Sequence, residues 1–160
     1  MTSIAKLSAR PLVSLALFAA ALLLLGGCAT STTGPMYMQF KPSEPKLEPT
    51  NGRIYLYRTS MLGAAVQPPV KVNDEVVGSS QPRGFFFVDR KPGEYVISTT
   101  TEVERKLSLT LEAGQTRYVR LNISIGFFVG HVYPELVDNA AGEREIKACH
   151  YTGRRAPQTP

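Results

Sequence analysis

Two neighbouring stretches, KLSLTLEAG and TRYVRLNISIG, alternate apolar and polar residues without a break. Successive side chains of an extended strand point to opposite faces. The first stretch therefore sends Leu107, Leu109 and Leu111 inward, with Lys106, Ser108 and Thr110 outward. The second sends Val119, Leu121, Ile123 and Ile125 inward, with Tyr118, Arg120, Asn122 and Ser124 outward. Strict alternation with polar partners predicts half-buried antiparallel sheet, one face on a core and the other wet. The intervening EAGQ is expected to close a hairpin.

Shorter runs repeat the pattern upstream. RIYLYR puts Ile54 and Leu56 on one face and Tyr55 and Tyr57 on the other. PVKVNDEVVGSS predicts a hairpin turning at Asn73-Asp74, residues that tolerate the left-handed backbone such turns need. GFFFVD, the turn RKPGE and EYVISTTTEV add further strands. Helical chemistry appears only in DNAAGEREIKACHY, where Asp138 or Asn139 can cap a short helix and Ile146 and Cys149 can face the sheet together. Seven or eight short strands predict an all-β fold, an antiparallel β-sandwich with a short C-terminal helix, over residues 52–151. Residues 152–160 are expected to form a disordered tail.

The N-terminus carries Lys6 and Arg10 and no acid, followed by an apolar core from Leu12 to Leu25. At ~1.5 Å per residue that core covers about 21 Å, short of the ~30 Å hydrocarbon layer. A basic start, a short apolar segment and small residues after it predict a secretory signal peptide over residues 1–27. Leu25-Gly26-Gly27-Cys28 resembles the bacterial lipobox, in which the cysteine is acylated and becomes the mature N-terminus; the usual pattern has Ala, Ser or Thr where this chain has Gly26. An ordinary signal peptide with an incidental cysteine and an uncleaved anchor are the other readings. Two or more acyl chains hold a protein firmly, at ~0.8 kcal/mol per buried methylene. The lipobox resemblance implies such chains on Cys28 and, with Ala29 behind it, an outer-membrane destination, the periplasmic side favoured over the cell surface. Residues 28–51 hold Pro35, Pro42, Pro45 and Pro49 and read as a tether reaching several tens of Å from the bilayer. Within it MYMQF can instead pack on the domain as an edge strand.

Removing residues 1–27 takes two of the 18 basic residues and none of the 13 acids, leaving a net charge of +3. That excess does not mark a nucleic-acid binder, which needs a clustered basic face. With Cys28 acylated, Cys149 has no partner within the chain and is expected to be buried as a small apolar residue.

A catalytic set does not assemble from the sequence. There is no G-x-S-x-G, and GSS at 78–80 leaves a hairpin. Cys149 and His150 are adjacent and would diverge on a helix, so a base for that thiol would have to be His131. Spacings for zinc or calcium ligands and cofactor signatures are absent. Glu102, Glu104 and Glu112 lie on strands or turns expected to be solvated. What stands out is apolar: MLGAAV at 61–66, GFFFV at 84–88 and GFFVG at 126–130, readable as strand buried on both faces or as exposed contact surface.

Taken in order, RIYLYR, VKVNDEVVG, PGEY, LEAGQTRYVR, GFFVG and EIKAC resemble the domain of unknown function 2846 of bacterial envelope lipoproteins, from about Arg53 to Cys149. V-x-V-N-D-x-x-V-G, PGEY and L-x-A-G-Q are also similar to PEGA-type sandwich domains. These resemblances imply a sandwich and an envelope location, and no reaction. The expected function is therefore non-catalytic and cofactor-free. It is that of a membrane-anchored lipoprotein docking an envelope protein or other component, with Met61, Leu62, Phe127 and Phe128 as candidate contacts. A glycan- or peptidoglycan-binding module stacking sugars on surface tyrosines Tyr55, Tyr57 and Tyr118 is the second reading, and an unrecognised hydrolase the third.

Overall fold

The structure, a computed structural model, describes residues 34–124 and 130–153. The expected signal peptide, Cys28, Ile125, Phe127, Phe128 and the tail from residue 154 lie outside the described residues. A four-residue helix α1 (Tyr37–Phe40) and a 3-10 turn (Lys41–Ser43) precede strands β1 (Gly52–Tyr57), β2 (Pro69–Val72), β3 (Glu75–Ser79), β4 (Gly84–Arg90), β5 (Gly93–Thr100), β6 (Glu104–Leu111), β7 (Thr116–Ser124) and β8 (His131–Val137). Helix α2 (Asn139–Ile146) and the two-residue strand β9 (His150–Tyr151) follow.

The strands form a five-stranded sheet, β8-β7-β1-β4-β9, and a four-stranded sheet, β3-β2-β5-β6. The chain is an all-β sandwich with a short C-terminal helix, as the alternation predicts. The smaller sheet is antiparallel throughout; in the larger, β1 runs parallel to β7 and β4 parallel to β9. Leu109 and Leu111 face Ile54, Leu56, Val119 and Leu121 across the sandwich, joined by Val70, Val72, Phe86, Ile97 and Val132. The β2–β3 hairpin turns where the sequence places it, with Asn73 at φ 47° and Asp74 at φ 69°. EAGQ, expected to close a hairpin, instead carries the chain from one sheet to the other, because β6 and β7 belong to opposite layers. Both strands still alternate correctly, since each presents its apolar face to the same shared core.

The larger departure is on the outer face of the five-stranded sheet. Tyr55, Tyr57 and Tyr118, expected on a wet face, are 1 %, 0 % and 2 % exposed. They belong to a second apolar layer with Tyr37, Phe85, Ile146 and Cys149, against which Phe40, Phe87, Val137 and Tyr151 pack. Tyr55 stacks on Tyr118 at 5.0 Å between ring centres, and Phe40 on Tyr151 at 4.1 Å. Two covers create this layer. Helix α2 starts at Asp138, whose carboxylate accepts from the Ala141 amide, and it buries Ile146. It lies so close that a Cβ on Gly142 would sit 2.2 Å from the Tyr118 ring. The second cover is the segment from Gly34 onward, expected to be free tether. Tyr37 is buried, its amide donates to the Cys149 carbonyl at 2.9 Å, and Met36 bridges His150. MYMQF thus packs on the domain as a helical turn rather than an edge strand, because its aromatic residues fill the gap above β4 and β9.

Candidate functional site

Where β1 finishes, the five-stranded sheet gathers its loops at one end. β7 runs parallel to β1, so it also finishes there; β4 begins there with Phe85 opposite Tyr57, and β8 begins with His131 opposite Ser124. In the other layer β5 turns into β6 at the same end, held by Thr99 Oγ1 donating to the Val132 carbonyl at 2.7 Å. The N-terminal segment arrives here too: His150 Nδ1 donates to the Gly34 carbonyl at 2.9 Å, and the His150 amide donates to the Arg83 carbonyl at 2.7 Å.

The loop after β1 is built around Arg58, a fully buried arginine. Its Nη1 donates to the carbonyls of Val66 at 2.7 Å and Ser80 at 3.0 Å, and its Nη2 to those of Gly63 at 3.0 Å and Leu62. Among the described residues no carboxylate joins this set, and burial lowers the guanidinium's pKa from its ordinary value. Arg58 Nε and the Ser80 hydroxyl have no hydrogen-bond partner among the described residues. Gly63, at φ +61°, makes the turn in a region where side chains are strained, pressed against Ile123. The Leu62 amide donates to Ser60 Oγ at 3.0 Å, the Val66 amide to the Gly63 carbonyl at 2.9 Å, and Val66 packs on the main core. With three of its carbonyls drawn inward, the loop turns its two large apolar side chains out: Met61 is 55 % and Leu62 53 % exposed. These are two of the four expected contact residues; Phe127 and Phe128 lie outside the described residues.

The opposite end of β1 holds a different assembly. Arg53, 4 % exposed, forks onto Asp89 through Nε at 2.7 Å and Nη2 at 2.8 Å, and its Nη1 lies 2.9 Å from Glu44. Its guanidinium lies 4.1 Å from the Phe87 ring centre. Tyr55 donates to Glu44, and Lys41 donates to both Glu44 at 2.7 Å and Tyr55 Oη at 3.0 Å. Desolvation together with the Glu44 carboxylate raises the Tyr55 phenol above its usual pKa. The network fastens the N-terminal segment over the sheet. A parallel arrangement secures α2: Tyr57 donates to Glu145 at 2.8 Å, while Arg120 reaches Glu145 at 3.0 Å and Glu135 at 2.9 Å. Glu135 is held below the usual carboxylate range by the Arg120 hydrogen bond.

The candidate nucleophiles and bases do not converge. Cys149 is buried, its thiol donates to the Arg58 carbonyl at 3.6 Å, and desolvation pushes its pKa up to about 12. Its neighbour His150 points to Gly34 instead. His131, the first residue of β8, lies 3.3 Å from Thr101 Oγ1 and 3.7 Å from Glu102 of the β5–β6 turn, and its cross-strand neighbour Ser124 lines a shallow depression with Arg105, Lys106, Tyr133 and Pro134. Glu104 pairs with exposed Lys106, and Glu112 is exposed. Among the described residues no group of three or more His, Cys, Asp or Glu is placed to hold a metal, and no helix is long and apolar enough to cross a membrane. Sequence reasoning missed Arg53 and Arg58, although two arginines bracketing the four apolar and aromatic residues Ile54 to Tyr57 were a visible signal.

These features define a class: a two-layer β domain with both terminal segments strapped over one sheet and an apolar loop held out at one end. Residues 48–132 match the family described as "Protein of unknown function (DUF2846)", and the chain belongs to that family. It is also 33 % identical over 129 residues to an uncharacterized protein of Haemophilus influenzae strain Rd, a match covering 78 % of this chain and 75 % of that protein. The family match begins after the N-terminal strap and stops at the start of β8, so it covers β1 to β7 and neither of the two covers.

Proposed function

We propose that this protein is a non-catalytic lipoprotein, anchored in the cell envelope through acylated Cys28, whose loop end docks an envelope component. The observation that carries the reading is the loop after β1, where a buried guanidinium fixes the backbone and leaves Met61 and Leu62 facing outward. Fixing a loop in advance reduces the ordering cost of binding, which is what a docking surface needs. The basic start, apolar segment and Cys28 support the anchor, with the outer membrane favoured by Ala29. The glycan reading loses its support, since the tyrosines meant to stack on sugars are buried.

The test is photo-crosslinking in living cells with a reactive residue at position 62, and at exposed Lys91 as control, read by mass spectrometry alongside the N-terminal peptide mass. An adduct with an envelope protein or lipid at 62 and not at 91, with acyl mass on Cys28, is the expected result. Products confined to this chain at position 62 would overturn the docking surface.

A further inference from the structure

Cys28 and Gly34 are separated by five residues, 29–33, and Gly34 is already fixed to the domain through His150. Fully extended, the six steps from Cys28 to Gly34 span about 20 Å. The nine residues of β7 alone run about 30 Å along the sandwich. A tether that short cannot lead around the domain. From Gly34 the strap then descends the outer face, with Tyr37 beside Cys149 and Glu44 at Arg53, before β1 runs back up. The expectation of a spacer through residue 51 therefore inverts: the prolines at 35, 42 and 45 lie in the strap, and an acylated Cys28 would hold the loop end close to the bilayer.

That end is chemically distinct. Met36, Met61, Leu62 and Val103 are exposed there at 40 %, 55 %, 53 % and 49 %, and Arg83 is exposed beside them. Charged Glu102, Glu104 and Arg105 flank Val103, whereas the far end presents Glu75, Lys91, Glu94 and Glu112 without an exposed Met or Leu among the described residues. Apolar side chains with a neighbouring cation suit the boundary between acyl chains and phosphate headgroups. An anchored contact is also intramolecular, so even a weak one is populated at high effective concentration.

We propose that the component docked by the loop end is the lipid bilayer itself, with Met61 and Leu62 seated among the headgroups and the sandwich standing end-on at the surface. This rests on the reading that Cys28 is acylated. Full-length acylated protein carrying Leu62→Cys, Val103→Cys or Lys91→Cys is spin-labelled, Cys149 being buried, and reconstituted in phosphatidylethanolamine–phosphatidylglycerol vesicles free of other protein. Oxygen and nickel-chelate accessibilities then report depth. The ratio of oxygen to nickel accessibility at 62 and 103 is expected to exceed that at 91 several-fold. Vesicle flotation and the mass of the N-terminal peptide are read on the same preparation. Acylated protein that floats but shows the aqueous ratio at 62 and 103 overturns this inference and leaves the anchor standing. A missing acyl mass overturns both. Insertion of the label at 62 in cell membranes but not in lipid-only vesicles assigns the surface to a protein partner and also overturns the lipid assignment.

Discussion

Arg53 and Arg58 leave opposite ends of one strand, both buried, and are satisfied in opposite ways. Arg53 is met by charge: Asp89 and Glu44 accept from it, and Phe87 lies under its guanidinium. Arg58 is met by dipoles alone, four backbone carbonyls drawn in from the loop at 62–66 and from Ser80. The difference follows from what each arginine organises. At Arg53 two separate segments, the strap and β4, each contribute a carboxylate, so the ion network joins pieces of chain. At Arg58 three of the four carbonyls come from the single loop at 62–66, with Ser80 as the fourth, and a planar fork of N–H donors is suited to gathering them. A buried cation can therefore act as a rivet between elements or as a mould for one, and the partners distinguish the two.

The largest expected effect is at the mould. Arg58→Met leaves the Leu62, Val66 and Ser80 carbonyls without the guanidinium, and Gly63 with the Val66 amide alone, and should cost about 4 kcal/mol of unfolding free energy in urea titration. Arg58→Lys should recover little of this, because one ammonium cannot span the same acceptors. If lysine restores most of the stability, charge rather than fork geometry is what the loop requires.

At the rivet, Arg53→Met should cost about 3 kcal/mol, chiefly because half-buried Asp89 loses its cation and Glu44 is left with the Lys41 cation alone. Adding Glu44→Gln and Asp89→Asn to Arg53→Met should restore a substantial part of that loss. Arg58 has no carboxylate among its partners that could be neutralised in the same way. Equal failure of rescue at both sites would erase the distinction drawn between them.

A smaller effect concerns the thiol that donates to the Arg58 carbonyl. Burial raises the Cys149 pKa from about 9 when unfolded to about 12 when folded, so the folded state holds this proton the more tightly. The stability it contributes is present below pH 9 and is lost as pH rises from about 9 toward 12, at ~1.4 kcal/mol per pH unit for one proton. Tyr55, Tyr57 and Tyr118 are shifted the same way and add to the alkaline decline at higher pH. Cys149→Ala should flatten the decline between pH 9 and 10 relative to the parent chain; an unchanged slope there would show that the thiol is not shielded.

Much of the sandwich was legible in the chain. Leu107, Leu109 and Leu111, and Val119, Leu121 and Ile123, alternate because a pleated strand has a period of two, and that period names the core face whatever the topology. Asn73-Asp74 marked its turn and Asp138 its helix start through local backbone chemistry. Met61 and Leu62 stood out as apolar residues in a turn-rich stretch. The neighbour of each strand was decided only in three dimensions: nothing local in EAGQ separates a hairpin from a crossing between layers, and nothing in β1 says that it lies parallel to β7. Alternation likewise identifies an outer face without saying whether water or protein covers it. Tyr55, Tyr57 and Tyr118, with an apolar ring and a polar tip, suit either. They are buried because the strap from Gly34 and helix α2, remote from β1 in sequence, bring Tyr37, Phe40, Ile146 and Cys149 over them. The chain determined its strands and its core side by short-range periodicity; the tertiary structure decided the second apolar layer and the two arginines' partners, because those depend on contacts between segments that no local pattern encodes.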